Sequence, residues 1–185
     1  MTNRLKFGET IEGLSVDGCR IQAAVFDENA VRAAAGLTLA LGAVAFAYAY
    51  FAKVYAPIQA ITMLFFAEFA LRLLGGLRLS PLGQLAQALV RRHHPDWVSA
   101  RPKRLAWTLG LVMALAMAII TNVGIRGPIP LTICLLCLTL MWLEAVLGLC
   151  LGCEIHRMLV SNGWAQRDEA FERCTGGACT GVERS

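Results

Sequence analysis

Four stretches of the chain are each long and apolar enough to cross a bilayer as a helix, and no other feature restricts its fold as much. About 20 apolar residues in helical conformation span a bilayer core. Hydrocarbon offers no water to unpaired peptide groups, so such segments close their hydrogen bonds within the helix. The first candidate covers about 31–52, VRAAAGLTLALGAVAFAYAYFA, and the second about 54–74, where Glu68 and Arg72 are the only charges. The third, about 105–125, follows Lys103 and Arg104. The fourth, about 130–151, is interrupted only by Glu144. Composition agrees, with 57% hydrophobic and 16% charged residues, where a soluble domain carries roughly 25% charged. The expected fold is an all-α membrane protein. Residues 1–30 form a cytosolic segment, 31–160 a four-helix transmembrane domain, and 161–185 a flexible cytosolic tail.

Basic residues set the orientation, because excess Lys and Arg stay on the cytoplasmic side. The N-terminal stretch, the connection between the second and third spans, and the C-terminal tail together hold fifteen of them, counted with their margins. The two short hairpins hold only Lys53 and Arg126. Both termini and the central loop are therefore expected in the cytoplasm. The net charge of +4 is spent flanking apolar segments and forms no separate basic patch, which argues against nucleic acid as a partner. The partner this pattern demands is a lipid bilayer.

Within the central loop, Leu82, Leu85, Ala86 and Leu89 share a helical face, and Arg91 and Arg92 follow. Ser80 is placed to cap this helix, with Pro81 at its first position. The segment reads as a short amphipathic helix on the inner membrane surface or as a plain helical connector. Before the first span, Asp17-Gly18 is a turn signal for a small hairpin. The N-terminus lacks the apolar core of a cleavable export signal.

Six of the seven cysteines follow Ile133. The fourth span carries Cys134-x-x-Cys137 near its outer end and Cys150-x-x-Cys153 near its inner end. Cysteines at i and i+3 share a helix face. The two pairs would be roughly 28 Å apart on one straight helix, far beyond the ~7 Å Cα limit for a disulfide. Cys134 follows Pro128 and Pro130, near the helix start, where the dipole favours a thiolate. The outer pair is thus the redox candidate, with Glu144 on nearly the same face as a proton relay or as a hydrogen-bond partner of Asn122 or Gln59. The inner pair, expected at the C-terminal end of the dipole, is the metal-ligand candidate. Cys150, Cys153 and His156 form one stripe, with Cys174, Cys179, His93 and His94 as possible completions. Packing alone is the competing reading, because cysteine fills a membrane helix as a small apolar residue. Glu68 and Arg72, at i and i+4, suit a structural ion pair, and Gly148 and Gly152 suit close helix approach.

The segments FDENAVRAAAG, FAEFALRLL, LRLSPLGQLA, PKRLAWTLGL and LEAVLGLCLGCEIHRML, the last with its G-x-C-x-G-C, resemble a family of bacterial inner-membrane proteins catalogued only as a domain of unknown function. The resemblance covers about residues 20–160. It implies a small polytopic protein of the bacterial inner membrane with thioredoxin-like or sulfur-transfer partners, and it implies no particular cofactor or catalytic residue. The resulting expectation is a membrane thiol-redox or sulfur-relay component. The alternative is a non-enzymatic membrane subunit or metal-binding scaffold.

Overall fold

A computed structural model describes residues 15–16, 19–20 and 24–164. Two short strands, β1 (Ser15–Val16) and β2 (Cys19–Arg20), pair antiparallel with Val16 opposite Cys19, on either side of Asp17-Gly18. Strand β3 (Val25–Asp27) leads into α1 (Glu28–Phe51), which is followed by α2 (Ala56–Gly75) and α3 (Pro81–Val90). Strand β4 (Trp97–Ser99) then leads into α4 (Ala100–Asn122), α5 (Pro128–Trp142) and α6 (Leu151–Ser161). Four helical segments, Glu28–Phe51, Ala56–Arg78, Ala100–Asn122 and Pro128–Leu147, are long and apolar enough to cross a membrane. The chain is an all-α multi-pass membrane fold with a short helix, α3, between the second and third spans. The tail cysteines Cys174 and Cys179 lie outside the described residues.

Along α1 small residues turn into the bundle and large ones turn out. On α1 the buried positions include Ala30, Ala34, Thr38, Gly42, Ala45 and Ala49, recurring every three to four residues. Val44, Tyr48 and Phe51 point outward. Lipid is as apolar as leucine, so side-chain size at the helix contacts, more than hydrophobicity, decides which face turns inward. A Cβ on Gly42 would come within 2.9 Å of Leu138 on α5, and one on Gly110 within 2.7 Å of Phe69 on α2. At one end of the bundle the two hairpins meet, where the Gly127 amide donates to the Tyr55 hydroxyl at 3.0 Å.

The opposite end is held by polar contacts. Strand β3 pairs antiparallel with β4, with Phe26 opposite Val98, so the residues opening α1 and α4 are brought alongside each other. Asp27 caps α1 by accepting the Asn29 amide and also accepts the Asp96 amide, both at 3.1 Å. Ser80 caps α3 by accepting the Gly83 amide at 3.0 Å, with Pro81 at the first helical position as its sequence indicates. Arg72 donates through two nitrogens to Glu68, and the other Glu68 oxygen accepts the Leu82 amide at 3.3 Å. Both charges are fully buried, so this i,i+4 pair ties the end of α2 to the start of α3. Ala86 packs inward, whereas Leu85 and Leu89 are exposed. The apolar face of α3 therefore splits between the bundle and its surroundings.

The span limits shift by a few residues from the sequence expectation, and two of the shifts move charged or thiol groups. The third begins at Ala100, so Arg101, Lys103 and Arg104 lie inside its first turns. The fourth ends at Leu147, and the helix that follows is a separate one.

Candidate functional site

The fourth span does not run straight through its cysteines. Beyond Trp142 the helix widens to a π segment, Leu143–Leu147, and Gly148 then adopts the left-handed conformation with φ 68° and ψ 12°. Glycine takes this conformation without the Cβ penalty of other residues and commonly ends helices in this way. The carbonyls left open by the break find a cation. Arg32 of α1 donates to the carbonyl of Val146 at 2.8 Å and to that of Ala145 at 3.3 Å. Cys150 is extended and starts α6 as its N-cap residue, its carbonyl accepting the amides of Cys153 and Glu154 at 2.9 and 3.1 Å.

This corrects the electrostatic reading of the inner pair. Cys150 and Cys153 were expected at the C-terminal end of one long helix, where a thiolate is disfavoured. They instead open a new helix, where the dipole favours it. The Cys150 thiol is buried and is held below its ordinary range, first by hydrogen bonding from the Cys153 thiol, with the Lys103 ammonium assisting against burial and Glu144. The same hydrogen bond, together with burial, pushes the Cys153 thiol up. One sulfur is thus disposed to be the thiolate and its neighbour the proton donor.

The outer pair is less exposed to a dipole than its sequence position suggests. Helix α5 begins at Pro128, so Cys134 lies nearly two turns inside it. There it is buried beside Ile58 and Met117. All four cysteines of the fourth span region are free thiols.

Glu144 also differs from expectation. It sits in the π segment at the end of the span. Neither Asn122 nor Gln59 is its partner, since Asn122 donates to the Ala118 carbonyl and Gln59 to that of Thr121. Its partner is Lys103, whose Nζ lies 3.4 Å from Glu144 Oε1. The same Nζ donates to Glu28 Oε1 at 3.1 Å and lies 2.8 Å from Glu28 Oε2, which has no hydrogen-bond geometry of its own. Two carboxylates therefore share one buried ammonium next to the Cys150 thiol. Lys103, Glu28 and Arg32 were missed as site residues. In the sequence they read as topology signals or helix-start charges, and only the β3–β4 pairing brings Glu28 and Lys103 together.

Thr38, Thr62, Cys134, Cys137, Glu144 and Cys150 all border one cavity of about 140 Å³ inside the bundle, otherwise walled by aliphatic and aromatic side chains. The spacing along a single helix does not describe this arrangement, because Cys134, Cys137 and Cys150 reach the same cavity region at different levels. His156 lies further along α6. Among the described residues no three His, Cys, Asp or Glu side chains converge as a metal site, so Cys150, Cys153 and His156 do not form one together.

A family profile described as a domain of unknown function (DUF4395) matches residues 26–161. No curated protein and no solved structure matches the chain.

Proposed function

The chain belongs to this family of unknown function, and from that premise we propose that it is a thiol–disulfide redox component of the bacterial inner membrane. Cys150 and Cys153 are its exchanging dithiol. The observation that carries this reading is the break at Gly148, which puts Cys150-x-x-Cys153 at a helix start, where the Cys150 thiol is held below its ordinary range. A thiolate is the attacking species in exchange, so a lowered thiol with a proton-donating neighbour suits this chemistry. In the oxidised form a partner thiolate attacks one sulfur of the Cys150–Cys153 disulfide and forms a mixed disulfide. The partner's second thiolate then releases the reduced pair. Two electrons and two protons move from the partner dithiol to this one, and a disulfide forms on the partner.

The partner is a soluble protein of the thioredoxin-like or sulfur-transfer kind. The fifteen-to-two distribution of basic residues supports cytoplasmic termini, which leaves the start of α6 at the cytoplasmic edge within that partner's reach. Cys134 and Cys137 form a second, deeper dithiol, with Glu144 as a proton-holding group between the two levels. A scaffold role is the second reading, favoured by the tight seat of Gly152 on Ala106, where small size and not sulfur would be the requirement.

The test uses purified full-length protein and its Cys150→Ala/Cys153→Ala variant. The wild type is expected to lose two titratable thiols on oxidation and recover them on exchange with a dithiol protein, and the variant is expected to do neither while remaining assembled. A variant that exchanges as well as the wild type would leave G-x-C-x-G-C as a packing motif.

A further inference from the structure

The cavity beneath Cys150 opens sideways. Helices α4 and α5 touch each other only sparsely, whereas α2 packs closely on α4 and α1 on α5. Leu109, inside the third span, borders the cavity and is also 41% exposed on the outside of the bundle. In a bilayer that outside is lipid, so the cavity has a way in from the hydrocarbon. An apolar cavity of about 150 Å³ takes a benzene-sized ring, and this one is of that size, about 140 Å³. Phe65 and Phe69 stand on its wall, as do Cys134, Cys137, Glu144 and Cys150. An acyl chain would need only the apolar wall. Three thiols and a carboxyl facing the same space suit a lipid-soluble molecule that accepts electrons.

We propose that this lateral cavity binds the head group of a membrane quinone, and that the quinone reoxidises the Cys150–Cys153 dithiol. The inference rests on the redox reading of that pair and names its electron acceptor. Cys150 faces the cavity, whereas Cys153 is not on its wall. The Cys150 thiolate adds to a ring carbon, forming a C–S bond and shifting an electron pair onto a quinone oxygen. The Cys153 thiolate then attacks the Cys150 sulfur, so that the S–S bond forms and the C–S bond breaks with its pair retained by the ring. The two protons released by the thiols complete the hydroquinone. The sum is one dithiol and one quinone giving one disulfide and one hydroquinone. Glu144, on the cavity wall and 3.4 Å from Lys103, is placed to hold a proton during the transfer.

The experiment uses reduced full-length protein in nanodiscs, without oxygen, and a short-chain benzoquinone as the probe. Quinone reduction is followed by absorbance and thiols by titration. The expected result is two thiols lost per quinone reduced, with Ala114→Leu and Ala45→Leu, which fill the cavity from two walls, slowing the reaction about tenfold or more. The corresponding hydroquinone, which cannot oxidise thiols, is expected to shield Cys134 from a permeant alkylating agent in the wild type. No quinone reduction, while exchange with a soluble dithiol protein persists, would overturn this inference and leave the redox reading standing. Loss of both reactions would end both. Unchanged rates in two well-assembled cavity variants, or no shielding of Cys134, would overturn the assignment of the cavity.

Discussion

A methyl group placed on Gly152 would lie 2.4 Å from the Cα and 2.5 Å from the Cβ of Ala106, so α6 rests on α4 backbone to backbone. This contact seats the start of α6, and with it Cys150, above the cavity and beside the Lys103 turn of α4. Gly148 works differently. A Cβ there would meet nothing closer than Arg32 at 3.7 Å, and its requirement is the left-handed backbone that ends the fourth span.

Gly152→Leu should therefore be the more damaging of the two glycine replacements, by about 1–3 kcal/mol or more through overpacking. Gly148→Ala should cost about 1–2 kcal/mol through the left-handed conformation alone. Thermal unfolding of detergent-purified variants, read with the monodisperse fraction on size exclusion, ranks them. A Gly152→Leu protein as stable as the wild type would remove the close approach of α6 and α4.

Alkylation rates should separate the two thiol pairs in the order opposite to that drawn from a straight fourth helix. The Cys150 thiol is held below its ordinary range, so its thiolate persists to lower pH. Its rate should climb with pH and level off before an ordinary thiol would. Cys153→Ala removes the principal cause of that shift and should move the inflection up in pH. Mass spectrometry of labelled peptides across a pH series gives both numbers. A Cys134 that labels faster than Cys150 near neutral pH would contradict the helix-start placement.

Lys103 holds two carboxylates, and its loss should cost far more than the loss of either one. Removing one partner of a buried ion pair costs about 3–5 kcal/mol, and Lys103→Met leaves both Glu28 and Glu144 without their cation. Glu144→Gln keeps the closer Glu28 contact and should be milder. Thermal shifts of the two variants decide the matter, and equal or inverted losses would show that the cluster is not organised around Lys103.

The orientation should be visible from two positions. A reporter fused after Ser185 should report cytoplasm. A cysteine introduced at the exposed Arg92, in a background lacking native thiols, should be shielded from an impermeant reagent in intact cells and labelled in inverted vesicles. Labelling of intact cells would place the thiol pairs on opposite sides from those assigned.

Amino-acid order alone determined the features that depend on composition and on residues a turn apart. The four spans follow from apolar length, the α3 cap from Ser80-Pro81, and the Glu68–Arg72 pair from i,i+4 spacing. Each is local, so a linear reading reaches it. Only the tertiary structure decided the candidate site. Leu147, Gly148, Leu149, Cys150 and Leu151 are as apolar as the helix before them, and nothing in their hydropathy marks the break. The break depends on Arg32 of α1, whose guanidinium takes the freed carbonyls 113 and 114 positions away. Lys103 in turn meets Glu28 and Glu144 across separations of 75 and 41 residues. Such partners are chosen by helix packing and by the cost of leaving a buried charge or carbonyl unpaired, and that cost is defined only once the helices are assembled.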